Sequence, residues 1–247
     1  MDPAYYVAAS SLKARSFQLE VISNNLANAA TVGYKQEKSF FSVFNKAKAE
    51  GRDLPLSQYV DDGTVLAQSS VDFSQGSQQA TGRSLDMAIE GNAFFMVKTT
   101  QGTFATRDGR FQLGANGQLT AVDGSPVLGN NGLPITIDPA GGAVTVQSDG
   151  TIQQGDNQVG QFQLKAYSDP SALKRAGSNR FDVSGAKETT ADARVVQGTV
   201  EQSGADLATC MIDMIRVNRL FEMSMKVAST ITNDMDERSI TDISTGH

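Results

Sequence analysis

Apolar residues recur every three or four positions near the end of the chain. Between Gln202 and Glu237 no Gly or Pro follows Gly204, so no residue there breaks a helix. The recurring positions are Leu207, Met211, Met214, Asn218, Phe221, Met225, Ala228, Thr232 and Met235. Seven of these nine are apolar, a spacing typical of a coiled coil, and a second apolar row widens the face: Ile212, Ile215, Val227 and Ile231. The pattern predicts one long helix whose apolar face needs partners.

The start of the chain repeats this spacing. The positions there are Tyr5, Ala8, Leu12, Arg15, Leu19, Ile22 and Leu26. Only Arg15 interrupts the apolar row, and its long stem can pack while the guanidinium reaches water. With Pro3 in the first turn, a helix is predicted from about there to Ala29 or Ala30. Two terminal helices can pair, and the apolar surface left over predicts contacts between molecules.

Between the helices the pattern changes to alternation and turns. Leu85–Ile89 alternates, Ala93–Lys98 is continuously apolar, and Val159–Tyr167 and Phe181–Val183 are the later predicted strands. Asn-Gly and Asp-Gly pairs are strong hairpin signals. The predicted turn pairs are Gln101-Gly102, Asp108-Gly109, Asn116-Gly117, Asp123-Gly124, Asn131-Gly132 and Asp149-Gly150. Thr64–Leu66 and Val71–Phe73 are predicted as short strands before this region.

The predicted fold is therefore mixed α and β. Terminal heptad helices form a coiled-coil-like helical domain, and the centre is an all-β domain of short antiparallel strands. The predicted divisions are an N-terminal helix and signature (1–34), a connecting region (35–84), the β-rich domain (85–185), a return linker (186–201) and the C-terminal helix (202–247).

Composition narrows the possible functions. The chain has 247 residues and a net charge of -6, which argues against a nucleic-acid binder with its usual basic face. No stretch approaches the roughly 20 apolar residues of a membrane span. Residues 1–25 lack the basic start and apolar run of a signal peptide, so classical secretion is not expected. The one cysteine, Cys210, is expected to be a small buried hydrophobe.

Patterns typical of catalytic and metal sites are largely missing. His247 is the only histidine, which excludes histidine-based triads and ordinary histidine metal sites. No P-loop, dinucleotide fingerprint or calcium loop is present, so we expect no cofactor and no metal. Paired carboxylates of a hydrolase could be proposed at Asp61-Asp62 or at Asp86 with Glu90, but solvated turn carboxylates are the usual explanation.

Three segments resemble the flagellar rod and hook proteins. The first is Asn24-Asn25-Leu26-Ala27-Asn28 with Thr31-Val32-Gly33-Tyr34-Lys35, whose amides suggest side-chain caps at the helix end or hydrogen bonds that fix the register of packed helices. The second is the β region, from Leu85–Phe95 through Thr106-Arg107-Asp108-Gly109-Arg110-Phe111 to Gly124–Gly129. The third surrounds Phe221-Glu222-Met223-Ser224-Met225-Lys226-Val227. The short length and the Met1-Asp2 start are most similar to the proximal-rod branch, with the distal-rod branch the close competitor.

The resemblance implies a structural subunit of the flagellar rod, not an enzyme. It implies export by the flagellar type III apparatus, a periplasmic place in the basal body, and helical assembly with itself and other rod proteins. The expected assembly residues are Leu12, Leu19, Ile22, Asn24, Asn25, Leu26, Asn28, Leu207, Met211, Met214, Asn218, Phe221, Met225 and Ala228. No nucleic-acid partner and no membrane insertion are expected. The alternative from another class is a soluble β-rich binding protein or hydrolase that its helices dimerise.

Overall fold

The computed structural model describes residues 3–44, 64–177 and 179–245, with side chains over 8–41, 67–177 and 179–233. Residues 45–63 of the predicted connecting region, including Asp61-Asp62, lie outside this range. The side chains of Tyr5 and Met235, from the two predicted rows, also lie outside it.

Two long helices flank a β-rich region, as predicted. Helix α1 spans Pro3–Ala27 and ends two or three residues earlier than expected, where Asn28 begins a turn. Helix α2 spans Leu207–Thr245, so it begins five residues later and ends eight residues later than predicted. A turn precedes this helix, in which the Ser203 hydroxyl accepts the Ala205 amide at 3.1 Å.

The strands of the described residues pair antiparallel wherever their register is defined. A two-stranded ribbon joins β1 (Glu37–Phe44) and β2 (Thr64–Val71). The other strands in chain order are β3 (Gln78–Ala80), β4 (Met87–Gly91), β5 (Ala93–Thr99), β6 (Gly102–Thr106), β7 (Phe111–Leu113), β8 (Leu119–Ala121), β9 (Val144–Val146), β10 (Thr151–Gln154), β11 (Asn157–Gln161), β12 (Leu164–Tyr167), β13 (Lys174–Arg175), β14 (Arg180–Asp182), β15 (Glu188–Thr189), β16 (Ala193–Gln197) and β17 (Thr199–Glu201). A 3-10 helix spans Pro170–Ala172.

The largest sheet has the order β13-β14-β6-β5-β12-β15. Its strand β5 is buried on both faces, which explains its continuous apolar sequence. Phe95 and Val97 face one cluster of buried side chains, and Phe94 and Met96 face another. In the first cluster Phe95 packs edge-on against Phe111, with ring centroids 5.1 Å apart.

Several local predictions need correction. The strand expected over Val159–Tyr167 is two strands, β11 and β12, in different sheets. Thr64–Leu66 and Val71–Phe73 are not two short strands, since β2 runs without a break over Thr64–Val71. Asp108-Gly109 is not a hairpin turn: the Gly109 carbonyl accepts the Met87 amide at 2.9 Å, and a Cβ at Gly109 would lie 1.7 Å from the Met87 carbonyl oxygen.

The last strands of the β region come from the segment expected to be a return linker. Strand β16 pairs with β4, with Val195 opposite Ile89, and β17 pairs with β3. The strand predicted over Phe181–Val183 is confirmed as β14, which begins and ends one residue earlier and lies between β13 and β6.

The chain forms two compact units. One, here called the helical unit, comprises Met1–Leu26, Glu37–Ser70 and Leu207–His247. The other, here called the β unit, comprises Ala27–Gln36 and Val71–Asp206. The predicted domain boundaries differ from this division and stay predictions.

Candidate assembly interface

One face of α2 is covered within the chain. Cys210 and Val217 are buried, and Met214 and Phe221 are half-buried, at spacings of four, three and four. Ser224, Ala228 and Ile231 continue this half-buried row. The row shares Met214, Phe221 and Ala228 with the predicted one, but Cys210, Val217 and Ser224 replace their neighbours Met211, Asn218 and Met225.

A second face of α2 leaves apolar side chains in solvent. Leu207, Met211, Ile212 and Ile215 are 55%, 53%, 65% and 57% exposed. Successive helical residues turn by about 100°, so these four residues form one continuous arc over about the first two and a half turns. We call this arc the outward patch. Asn218 is exposed just beyond it, and Met223, Met225 and Val227 are exposed farther along.

Helix α1 is also covered along one side. Ala14, Val21, Ile22 and Asn25 are buried, while Leu12, Leu19 and Leu26 are half-buried. The Arg15 guanidinium lies 5.6 Å from the ring centroid of Phe41 on β1, a cation–π contact inside the helical unit. The predicted residues of α1 therefore line its covered side, with the exception of the exposed Asn24.

The amides at the end of α1 serve local structure. Asn25 Nδ2 donates to the Glu37 carbonyl at 2.7 Å, and the Glu37 amide donates to Asn25 Oδ1 at 2.9 Å. This pair of hydrogen bonds fixes the first residue of β1. Asn28 accepts the Thr31 hydroxyl at 3.3 Å, and its carbonyl accepts the Thr31 amide at 3.0 Å. These two Asn28 contacts form a turn directly after α1, and the predicted side-chain caps stay a prediction.

The rest of the signature packs inside the β unit. We call residues 28–36 the incoming segment and residues 199–204 the outgoing segment. The Gly33 amide donates to the Glu201 carbonyl, and the Gly204 amide donates to the Tyr34 carbonyl, both at 2.8 Å. Arg175 lies 4.7 Å from the Tyr34 ring centroid and donates to the Lys35 carbonyl at 2.6 Å.

Three buried charged side chains lie where these segments meet, one from each segment and one from the loop after β6. Lys35, Arg107 and Glu201 are 1%, 3% and 1% exposed, and we call them the ion clasp. Lys35 Nζ lies 2.5 Å from Glu201 Oε1, and Arg107 Nη1 lies 3.3 Å from Glu201 Oε2. Burial lowers the pKa of Lys35 and the pKa of Arg107, and the Glu201 carboxylate opposes both shifts.

Sequence reasoning does not find the ion clasp. Lys35 and Arg107 stand out in the sequence only as parts of the resembling segments, and Glu201 does not stand out at all. Charged residues ordinarily predict exposure, and the partners lie 166 and 94 residues apart, so no local pattern reveals them.

The described residues give no support to a hydrolase or a metal site. Asp86 is buried and accepts the Thr81 hydroxyl at 2.8 Å, whereas Glu90 is exposed. Within the described ranges no group of three His, Cys, Asp or Glu residues could hold a metal ion. A cleft of about 670 Å³ lies beside the Arg180–Asp123 ion pair and is lined by hairpin turns, without a convergent set of reactive groups. Among the described helices, none is both long and apolar enough to cross a membrane.

Comparison with known protein families gives three matches along the chain. "Flagella basal body rod protein" matches residues 6–35, "Flagellar hook protein FlgE/F/G D1 domain" matches residues 88–154, and "Flagellar basal body rod FlgEFG protein C-terminal" matches residues 196–241. Each of these three ranges contains one residue of the ion clasp, in chain order Lys35, Arg107 and Glu201.

Relatives match over nearly the whole chain. The flagellar basal-body rod protein FlgF of Caulobacter vibrioides is 34% identical over 231 residues, which cover 92% of each chain. FlgF of Escherichia coli K12 is 33% identical, covering 95% of this chain and 96% of its own. The rod protein FlgG of Borreliella burgdorferi is 31% identical, covering 94% and 96%.

Proposed function

The chain belongs to the family of flagellar basal-body rod proteins and is a structural subunit of the rod, and on that premise we propose that it assembles through its two terminal helices to transmit torque. The observation that carries this proposal is the outward patch. Leu207, Met211, Ile212 and Ile215 would each lose contact with water if another helix covered them.

The proposed interface has two parts. The outward patch, with Asn218 and Met225, makes contacts between subunits. The second part is the set of covered residues on α1 together with Met214, Phe221 and Ala228 on α2. These residues pack within the subunit and hold α2 so that the outward patch stays exposed for a partner. A helix that packs on both faces can belong to a bundle larger than two strands, which is the geometry that a helical assembly needs.

We place this subunit among the FlgF-like proteins of the proximal rod, where copies of itself and other rod proteins are its partners. The two FlgF relatives support this placement, and the FlgG relative keeps the distal rod as the alternative. We propose that the flagellar type III apparatus delivers the chain to the periplasmic part of the basal body. The role proposed for it there is assembly rather than catalysis.

A charge in the outward patch tests the proposal. Ile215→Asp places a carboxylate where an apolar contact between helices is expected, and burial of an unpaired charge is strongly unfavourable. Thr230→Asp adds the same charge at an exposed position of α2 outside the patch. Each variant is expressed in cells that lack the chromosomal copy, and swimming and purified basal bodies are examined.

We expect Ile215→Asp to abolish swimming and to leave the basal body without this subunit, while Thr230→Asp swims. Circular dichroism of the purified Ile215→Asp protein should match the wild type, because the wild-type side chain is 57% exposed. Normal rods built from Ile215→Asp would refute the patch as an assembly surface.

A further inference from the structure

The ion clasp buries more positive than negative charge. Lys35 and Arg107 each bring one positive charge, and Glu201 brings one negative charge. Both Glu201 oxygens are engaged, since Oε1 also accepts the Gly76 amide at 2.7 Å. Asp72 lies near enough to act electrostatically on Lys35, but its Oδ1 accepts the Ser74 amide at 2.9 Å. Glu201 is therefore the carboxylate in direct contact with both cations.

Backbone carbonyls complete the shell around the cations. Lys35 Nζ also donates to the Ser74 carbonyl at 2.8 Å. Arg107 donates to the Gly91 carbonyl at 2.6 Å and lies 4.9 Å from the ring centroid of Phe94. These contacts orient the cations but bring no negative charge. Without Glu201, Lys35 would be buried beside Arg107 with no anion touching either, an arrangement that costs far more than leaving Lys35 in water.

Glu201 reaches this position only through the last strand of the β unit. It is the final residue of β17 and lies opposite Gln78 of β3 in the strand pair. Its own carbonyl accepts the Gly33 amide, so the residue that neutralises Lys35 also holds the backbone of the incoming segment. Arg107, by contrast, follows β6, whose partner β5 is the preceding strand along the chain.

We propose that the ion clasp is a closing latch of the β unit. The incoming segment stays undocked and solvated until β17 pairs with β3 and delivers Glu201, and then the incoming and outgoing segments dock together. A chain of which only residues 1–200 are available for folding lacks Glu201 and therefore the latch. Its incoming segment remains undocked, although all residues of strands β4 to β6 are present.

Hydrogen exchange on the full-length protein tests the latch. The Gly33 and Gly204 amides report on the two segments, and the Leu128 amide, which donates to the Met96 carbonyl at 2.8 Å, reports on the central sheet. In pulse-labelled refolding of the wild type, we expect Leu128 to gain protection first and Gly33 and Gly204 to follow together. Protection of Gly33 at the same time as Leu128, or before Gly204, would overturn the proposal.

Native-state exchange of two variants adds a test of the charge balance. Glu201→Gln leaves two buried cations without an anion in contact, so protection at Gly33 and Gly204 should fall about 100-fold or more. Lys35→Met leaves the Arg107–Glu201 pair balanced, and the loss should be about tenfold or less. Glu188→Gln, which removes the exposed partner of Lys165, is the matched control and should change neither amide.

Unchanged protection of Gly33 in a folded Glu201→Gln protein would refute the latch, as would a larger loss in Lys35→Met than in Glu201→Gln. Should Glu201→Gln fail to fold, the order in which the wild-type amides gain protection decides the question.

Discussion

The backbone at Arg107 occupies the space that a side chain at Gly33 would need. An added Cβ at Gly33 would lie 2.4 Å from the Arg107 carbonyl carbon and 2.5 Å from the Asp108 amide nitrogen. The Gly33 φ of +70° independently favours glycine. The incoming segment can therefore lie against the Thr106–Arg110 loop only because this residue lacks a side chain.

Gly33→Ala should destabilise the β unit by about 3 kcal/mol or more, because backbone strain and a backbone clash act together. Gly82→Ala is the matched control, since Gly82 has a φ of +71° and a Cβ added there would meet no atom within 4 Å. It should cost only the strain, about 1 to 2 kcal/mol. Urea unfolding followed by circular dichroism measures both, and equal losses would contradict the role of close packing.

Asn25→Ala should destabilise the helical unit by about 1 to 3 kcal/mol, because it removes a donor and an acceptor that the Glu37 backbone uses. Hydrogen exchange at the Glu37 amide measures the loss directly. Asn28→Ala alters a more exposed amide in a turn and should leave exchange at Glu37 unchanged. Retained protection at Glu37 in Asn25→Ala would show that the helix end does not fix β1.

The stability of the β unit should fall as the pH rises from about 10 towards 12. Burial raises the pKa of Tyr167 to about 12, so the folded chain keeps a proton that the unfolded chain loses. Tyr167→Phe should remove this part of the loss, since it keeps the ring but has no ionising hydroxyl. Urea midpoints at about pH 9 and about pH 11 for both proteins measure the difference.

The lowered pKa of Lys35 acts in the opposite direction. The folded chain gives up that proton at a pH where the unfolded lysine still holds it, so this contribution to stability rises as the pH approaches the ordinary lysine value from below. It is present in both proteins and cancels in the comparison. Identical alkaline slopes for the wild type and Tyr167→Phe would refute the Tyr167 prediction.

Phe221→Asp should lower the stability of the isolated subunit by about 2 kcal/mol or more, since it places a charge on the covered row beside Val217. Glu222→Asp keeps its charge at an exposed position and should change stability by less than about 0.5 kcal/mol. Thermal unfolding of the purified subunits gives both values. Phe221→Asp should also abolish swimming, but through the fold of the subunit as well as through assembly, unlike Ile215→Asp.

The elements that the sequence predicts correctly are those whose signals are long or repeated. Both helices are predicted because their apolar spacing continues over many turns. Strand β5 is predicted because every position from Ala93 to Val97 is apolar, and the structure buries all five. The turn glycines Gly117, Gly124, Gly132 and Gly150 all have positive φ, as their Asn-Gly and Asp-Gly pairs predict.

Short polar strands give too little signal to be predicted. In β17 the sequence Thr199-Val200-Glu201 offers one apolar residue, and β16 has only Val195 fully buried. Their pairing with β4 and β3 depends on contacts more than 100 residues apart, which periodicity cannot report. The covered row of α2 contains Met214, Phe221 and Ala228 of the predicted row, but its other members differ. Apolar residues lie on more than one row of this helix, so their spacing does not show which row the chain covers.

The side-by-side course of the incoming and outgoing segments makes the β unit a modular insert. The Gly33–Glu201 and Tyr34–Gly204 hydrogen bonds hold its two ends side by side. Loops elsewhere in the unit, such as the exposed turn Asn130–Leu133, can lengthen or shorten without changing the distance between these ends. Insertions and deletions can in this way accumulate in the β unit while the spacing of its two entry points stays the same.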